Sequence, residues 1–125
     1  MDVSPDVTAR ILVIARPALG RKIEVALRLA GHEVYRTPDS SAAERLVLQL
    51  RPQVAVVALD LPWGDAEGAI ARLSSSRRAI PVLVLGDSFH DGFEFGQSHL
   101  PLRADANDIQ EAVADLLASP MATAR

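Results

Sequence analysis

The sequence predicts a doubly wound α/β domain on a parallel sheet, and three observations carry that prediction. Short apolar runs recur without apolar/polar alternation: Ile11-Leu12-Val13-Ile14, Val54-Ala55-Val56-Val57-Ala58-Leu59 and Ile80-Pro81-Val82-Leu83-Val84-Leu85. Strands buried on both faces of a sheet read this way. Between the runs the apolar period changes to about 3.6 residues, the helical spacing. The two kinds of segment alternate along the chain, and such alternation with right-handed crossovers gives a doubly wound parallel sheet.

Each element has its own signature. The run 11–14 is the first strand. Leu19, Ile23, Ala26, Leu27 and Ala30 share one face of a first helix, closed by Gly31. His32-Glu33-Val34-Tyr35-Arg36 is short and alternating, which suits an edge strand. Ala43, Leu46, Val47 and Leu50 mark a second helix. Ser41 and Glu44 have capping-box spacing at its start, and Pro52 ends it. The run 54–59 is the third strand. Ala66, Ala69, Ile70 and Leu73 mark a third helix, ended by Ser74-Ser75-Ser76. The run 80–85 is the fourth strand. His99-Leu100-Pro101-Leu102 is a weak fifth strand, whose proline fits an edge. Ile109, Ala112, Val113, Leu116 and Leu117 mark the last helix, with Asp105 as its N-cap. The expected organisation is a tail over 1–9, one five-stranded domain over 10–118, and a C-terminal tail or start of a linker over 119–125.

Composition narrows the function classes. With 49% apolar and 23% charged residues, the chain has the balance of a folded globule rather than a disordered tail. The absence of cysteine excludes disulfide scaffolds, thiolate metal sites and cysteine nucleophiles. No apolar run approaches the length of a membrane span. The acidic start Met1-Asp2-Val3-Ser4-Pro5-Asp6 lacks a secretory pattern, so a cytoplasmic protein without a membrane partner is expected. A net charge of −3 gives no support for nucleic-acid binding by this domain. The charge is uneven: residues 10–51 carry a net of +4 and residues 52–125 a net of −5.

In open α/β sheets ligands gather at the carboxyl ends of the strands. Ala15, Arg16 and Pro17 follow the first strand. Asp60, Leu61, Pro62, Trp63, Gly64 and Asp65 follow the third. Gly86, Asp87 and Ser88 follow the fourth, and Arg103, Ala104 and Asp105 follow the fifth. Ala15-Arg16-Pro17-Ala18-Leu19-Gly20 is not a dinucleotide fingerprint. No Ser-His-Asp arrangement, metal cluster or paired catalytic carboxylates would meet at these ends. An enzyme is therefore not expected, nor a cofactor or a metal.

Arg10-Ile11-Leu12-Val13-Ile14, Ala30-Gly31-His32-Glu33-Val34, Arg51-Pro52-Gln53-Val54-Ala55-Val56-Val57, Leu61-Pro62-Trp63-Gly64-Asp65 and the run 80–85 stand in an order and spacing that resembles the receiver domain of two-component response regulators. The resemblance covers residues 10–118 and implies a flavodoxin-like fold with receiver topology. It also implies an aspartate ending the third strand that accepts a phosphoryl group, and an acidic pair after the first strand that holds Mg²⁺. A hydroxyl after the fourth strand and a lysine after the fifth would contact the phosphoryl group. In this chain the phosphoacceptor position is Ala58, and the acidic pair falls on Ala15 and Arg16. The hydroxyl position is Gly86 and the lysine position is Leu102, with Arg103 where a proline usually follows. Mg²⁺ needs hard oxygen ligands, which a methyl group and a guanidinium do not offer. Without a nucleophilic carboxylate there is no acyl phosphate. The resemblance thus points to a degenerate variant, a pseudo-receiver. Asp60 is read as a loop acid or a helix-start charge rather than a displaced phosphoacceptor, since no metal ligands accompany it.

The chain also departs in length. Twelve residues separate Gly86 from His99, where receivers place a whole helix. This segment carries Gly92 and Gly96 and has no helical apolar face, so the fourth helix is expected to be missing or remodelled. It holds all three phenylalanines, Phe89, Phe93 and Phe95. They are candidate interface anchors or substitutes for the lost helix packing. Trp63 is read equally as an exposed anchor or a lid over the vacated cleft. The function expected is a phosphorylation-independent signalling module acting by protein–protein contact. It would bind a partner or a second copy through the region between the fourth and fifth strands and the last helix, with Arg103 as a further contact. The alternative is a sensor of a small anion or nucleotide in the vacated cleft, using Arg16, Asp60 and Asp87.

Overall fold

A computed structural model describes residues 9–58, 80–86 and 98–118. In chain order these form β1 (Arg10–Ile14), α1 (Pro17–Leu29), β2 (Glu33–Thr37), a 3₁₀ turn (Ser40–Ala42), α2 (Ala43–Leu50), β3 (Val54–Ala58), β4 (Val82–Leu85), β5 (Ser98–Leu100) and α3 (Ala106–Ala118). All strand pairs are parallel, in the order β2-β1-β3-β4-β5. The expected doubly wound sheet is present, and the two shortest or most polar runs, β2 and β5, lie at its edges. The expected third helix (66–73) and the altered fourth helix fall outside the described residues.

The register explains why the central runs lack alternation. Ile11 pairs with Val54, Ala55 with Val82, and Ala58 with Leu85. Ile11, Val13, Val54, Val56, Leu83 and Leu85 face one side and pack with Ile23 and Leu27 of α1 and Ile109 and Val113 of α3. Leu12, Ile14, Ala55, Val57, Val82 and Val84 face the other and pack with Ala43 and Val47 of α2. Successive strand side chains point to opposite faces. Because both faces are covered by helices, every position is apolar.

The ends of the elements follow local chemistry. Pro17 opens α1, where its missing N–H costs no hydrogen bond. The helix closes when Gly31, at φ 94°, donates its N–H to the Arg28 carbonyl and His32 donates to the Leu27 carbonyl. This is a Schellman closure, and glycine suits its left-handed residue. Asp105 caps α3 as expected: its Oδ1 accepts from the Asp108 N–H at 2.9 Å, and Asp108 Oδ2 accepts from the Asp105 N–H at 3.4 Å.

Other boundaries differ from expectation. Ser41 is not the N-cap of α2: the chain enters the helix through the 3₁₀ turn and the N-cap is Ala42, without a side-chain cap. Asp39 takes that role one turn earlier. Its Oδ1 accepts from the Ser41 N–H at 2.9 Å, and its carbonyl accepts from the Ala42 N–H at 3.1 Å. Asp39 precedes the 3₁₀ turn, so its carboxylate reaches donors that the Ser41 spacing had suggested for a later start. The strand β4 begins at Val82 rather than Ile80. The Pro81 carbonyl still accepts from the Ala55 N–H at 3.0 Å, but a proline has no N–H with which to extend the ladder. For the same reason β5 ends at Leu100, and Pro101 and Leu102 lie past it.

Among the described residues no helix is long and apolar enough to cross a membrane. His32 is the only buried polar side chain among them, at 7% exposure. Its Nδ1 accepts from the Ala9 N–H at 3.1 Å, which requires a neutral ring, and burial lowers its pKa. A lowered histidine pKa gives stability that is complete above the unfolded value and is lost as pH falls through the folded one. The denaturation midpoint is therefore expected to fall as pH drops below about 6.5, the unperturbed histidine value. In His32→Gln this part of the pH slope should vanish. An unchanged slope would show that His32 is not buried neutral.

Candidate functional site at the carboxyl ends of the strands

The parallel sheet brings the ends of β1, β3, β4 and β5 together, as the strand order requires. Ala15 and Ala58 belong to the same apolar cluster on the α1–α3 side and are 3% and 0% exposed. Leu85 and Ala104 join them, and Leu102 packs against the cluster from its rim. Gly86 is buried and donates its N–H to the Leu100 carbonyl at 2.9 Å, which ties the end of β4 to β5. Strand parity and helix packing thus line this floor with methyl and methylene groups.

Gly20 of α1 faces the end of β1. A Cβ there would stand 3.3 Å from Arg36 Cδ and 3.7 Å from Ala15 Cβ. The glycine is buried between the end of β1 and the edge strand. Arg16, the N-cap residue of α1, has extended backbone and its carbonyl accepts from the Gly20 N–H at 2.7 Å. Its side chain is exposed, as is that of Arg103. Asp60, Trp63, Asp87, Phe89, Phe93 and Phe95 lie outside the described residues.

These described positions do not fit Mg²⁺. The ion demands near-ideal octahedral oxygen ligation, normally with one or two carboxylates. Ala15, Ala58, Gly86 and Leu102 offer no side-chain oxygen, and Arg16 brings a positive charge. No step through a bound metal or a phosphorylated residue is derived from them.

Several of the described charged groups pair with one another. Glu24 accepts from Arg28 Nε at 2.7 Å and from Arg36 Nε at 2.6 Å, bridging α1 to the edge strand. The bonds from Arg28 and then Arg36 hold its carboxyl below the usual range. Glu33, bonded by the Tyr35 hydroxyl and by Arg10, is lowered in the same way. At the opposite end of the sheet a cavity of about 550 Å³ lies beside Ala9, His32, Gln53, Gln110 and Leu117. Gln110 there donates to the Ala26 carbonyl at 2.7 Å and ties α3 to α1. The sequence reading missed these polar residues because each sits singly at the margin of an apolar pattern. Ala104, named with the residues that follow the fifth strand, joins the floor as a buried member.

Comparison with known proteins agrees with this architecture. No protein-family model matches the chain. Over 77 residues, 61% of this chain, it is 39% identical to the virulence transcriptional regulatory protein PhoP of Salmonella choleraesuis. The transcriptional regulatory protein PhoP of Escherichia coli O157:H7 is 35% identical over the same length. The matched stretch spans 34% of each relative, about a third of its length. Among solved structures, a protein described as a response regulator from Chloroflexus aurantiacus superposes with a TM-score of 0.80. The sequences are 21% identical, and the match covers 90% of this chain and 99% of that one. The receiver domain of a sensor histidine kinase from Pseudomonas aeruginosa, with magnesium coordinated in its active-site cleft, gives 0.77 at 20% identity and covers 90% and 99%. The chain therefore has the receiver-domain, flavodoxin-like fold. The magnesium of the Pseudomonas domain has no counterpart ligand set at Ala15, Arg16 and Ala58.

Proposed function

We propose that this chain is a receiver-type signalling module that has given up phosphoryl transfer and acts by protein–protein contact. The observation that carries the reading is the buried floor of Ala15 and Ala58 on a receiver fold. Acyl phosphate formation needs a carboxylate nucleophile, and none stands among the described residues at the end of β3. Leu102 at the rim and Gly86 at the end of β4 leave the phosphoryl group without a lysine or a hydroxyl. The similarity to PhoP and to solved receiver domains supports a place in two-component signalling. It does not require the chemistry of those proteins, because the residues for that chemistry differ here. Signalling folds that lose a chemical switch retain their surfaces, and surfaces act by binding.

A titration with Mg²⁺ and beryllofluoride, followed by amide NMR, tests this reading. The spectrum is expected to stay unchanged, and intact-mass measurement after acetyl phosphate treatment is expected to show no added phosphoryl group. Saturable shifts clustered around Ala15 and Ala58, or a phosphorylated species, would end the proposal.

A further inference from the structure

We propose that the cavity at the amino-terminal end of the sheet is a binding site for a small, uncharged heteroaromatic molecule that carries a ring-nitrogen acceptor beside an amino donor, as a nucleobase does. The site lies at the end of the sheet opposite Ala15 and Ala58. It does not rest on the loss of phosphoryl transfer, so either reading can fail without the other.

The cavity follows from the fold. Helices α1 and α3 pack on the same face of the sheet, and the Gln110 side chain ties them by donating to the Ala26 carbonyl at 2.7 Å. Both helices end just beyond that tie: Ala30 follows α1, Ala118 ends α3, and both border the cavity. Ala9 and Ala114 border it too, so much of the lining brings only methyl side chains. About 550 Å³ is left open. Small-ligand sites typically have about 300–1,000 Å³.

His32 separates this cavity from a packing gap. It is the only buried polar side chain among the described residues, at 7% exposure, and it borders the cavity. Its Nδ1 accepts from the Ala9 N–H at 3.1 Å, which places the ring proton of the neutral imidazole on Nε2. Among the described residues nothing accepts from that Nε2–H. A buried donor without an acceptor is costly, and native folds keep few of them. An acceptor atom on a ligand in the cavity satisfies it.

The remaining polar groups define the rest of the ligand. Gln110 spends its amide N–H on Ala26 and keeps its Oε1 as an acceptor. Glu111 stands exposed on the border, and its carboxylate has no hydrogen bond or ion pair among the described residues. Gln53 gives its Oε1 to the Arg10 N–H at 3.2 Å, which leaves its NH₂ group as a second donor. No lysine or arginine is among the described residues that line the cavity. The carbonyl ends of two helices lead to it, and these carry partial negative charge. An anion would therefore meet a carboxylate and no cation. The complement is an acceptor for His32 and Gln53, a donor for Gln110 or Glu111, and no negative charge. A flat ring suits the apolar lining, because it has no internal rotation to lose on binding.

Adenine is the probe, and amide NMR of the full 125-residue chain at neutral pH is the measurement. Saturable shifts are expected at Ala9 and His32 and at the side-chain amides of Gln53 and Gln110, with a dissociation constant of about 1 mM or lower. Ala15 and Gly86 should not move. Benzoate is also flat but anionic, and it is expected to bind at least tenfold more weakly. Ala114→Phe fills the cavity from an exposed position and should weaken adenine binding at least tenfold. His32→Leu removes the donor and should do the same. Circular dichroism confirms that each variant folds; if His32→Leu does not, Ala114→Phe carries the test. The absence of saturable shifts up to about 5 mM adenine overturns the proposal. So do shifts centred on Ala15 and Gly86, equal binding of benzoate, or an unchanged affinity in folded Ala114→Phe.

Discussion

Ala58→Asp, which restores a carboxylate at the phosphoacceptor position, is expected to destabilise the protein by about 3 kcal/mol rather than to restore function. Ala58 is 0% exposed and is packed among Ala15, Val56 and Leu85. An ionised carboxylate there would lose its water without gaining a cation or a donor from the end of β1. The penalty should shrink as pH falls, because burial raises the pKa of the new acid and the neutral form is cheaper to bury. Added Mg²⁺ should not raise the melting temperature, since Ala15 supplies no second oxygen. Urea denaturation of the variant across pH measures the first effect, and thermal unfolding with and without Mg²⁺ the second. A tolerated aspartate with a Mg²⁺-dependent rise in Tm would mean that the methyl floor opens into a metal site.

A comparable loss is expected from Leu27→Ala, about 3 kcal/mol, against less than about 0.5 kcal/mol for Leu29→Ala. The two leucines are two residues apart on the same helix. Leu27 is fully buried under β1 and β2, and its carbonyl accepts the closing bond from the His32 N–H at 3.1 Å. Leu29 is 76% exposed. Truncating Leu27 leaves a cavity in a packed core, whereas truncating Leu29 removes surface that water already reaches. Chemical denaturation measures both losses. Equal losses at the two positions would contradict the side of α1 that faces the sheet.

Most of the fold was legible because its determinants are local or periodic. The runs at 11–14 and 54–58 are apolar at every position, and only a sheet covered on both faces accepts that. The edge positions of β2 and β5 followed from alternation in one and Pro101 in the other. The Gly31 closure and the Asp105 cap are short-range chemistry and appear where expected. The Ser41 cap failed because the choice between Asp39 and Ser41 depends on how the chain turns from β2 into α2. That turn is set by where α2 must land on the sheet, and spacing along the chain does not encode it.

The site divides in the same way. The residue types at positions 15, 58, 86 and 102 are chemistry that sequence determines outright: no conformation gives an alanine or leucine side chain an atom that ligates a metal. Residue identity also determined the charge imbalance between the two halves of the chain. What only the tertiary structure decided is where these properties act. Burial closed Ala15 and Ala58 into one apolar floor and left Arg16 outside it in solvent. Helix packing set α1 beside α3, with Gln110 bonded to the Ala26 carbonyl, although they lie far apart along the chain. Covalent identity fixes what each group can do, but long-range packing sets its neighbours and its exposure, and those decide which of its capacities is used.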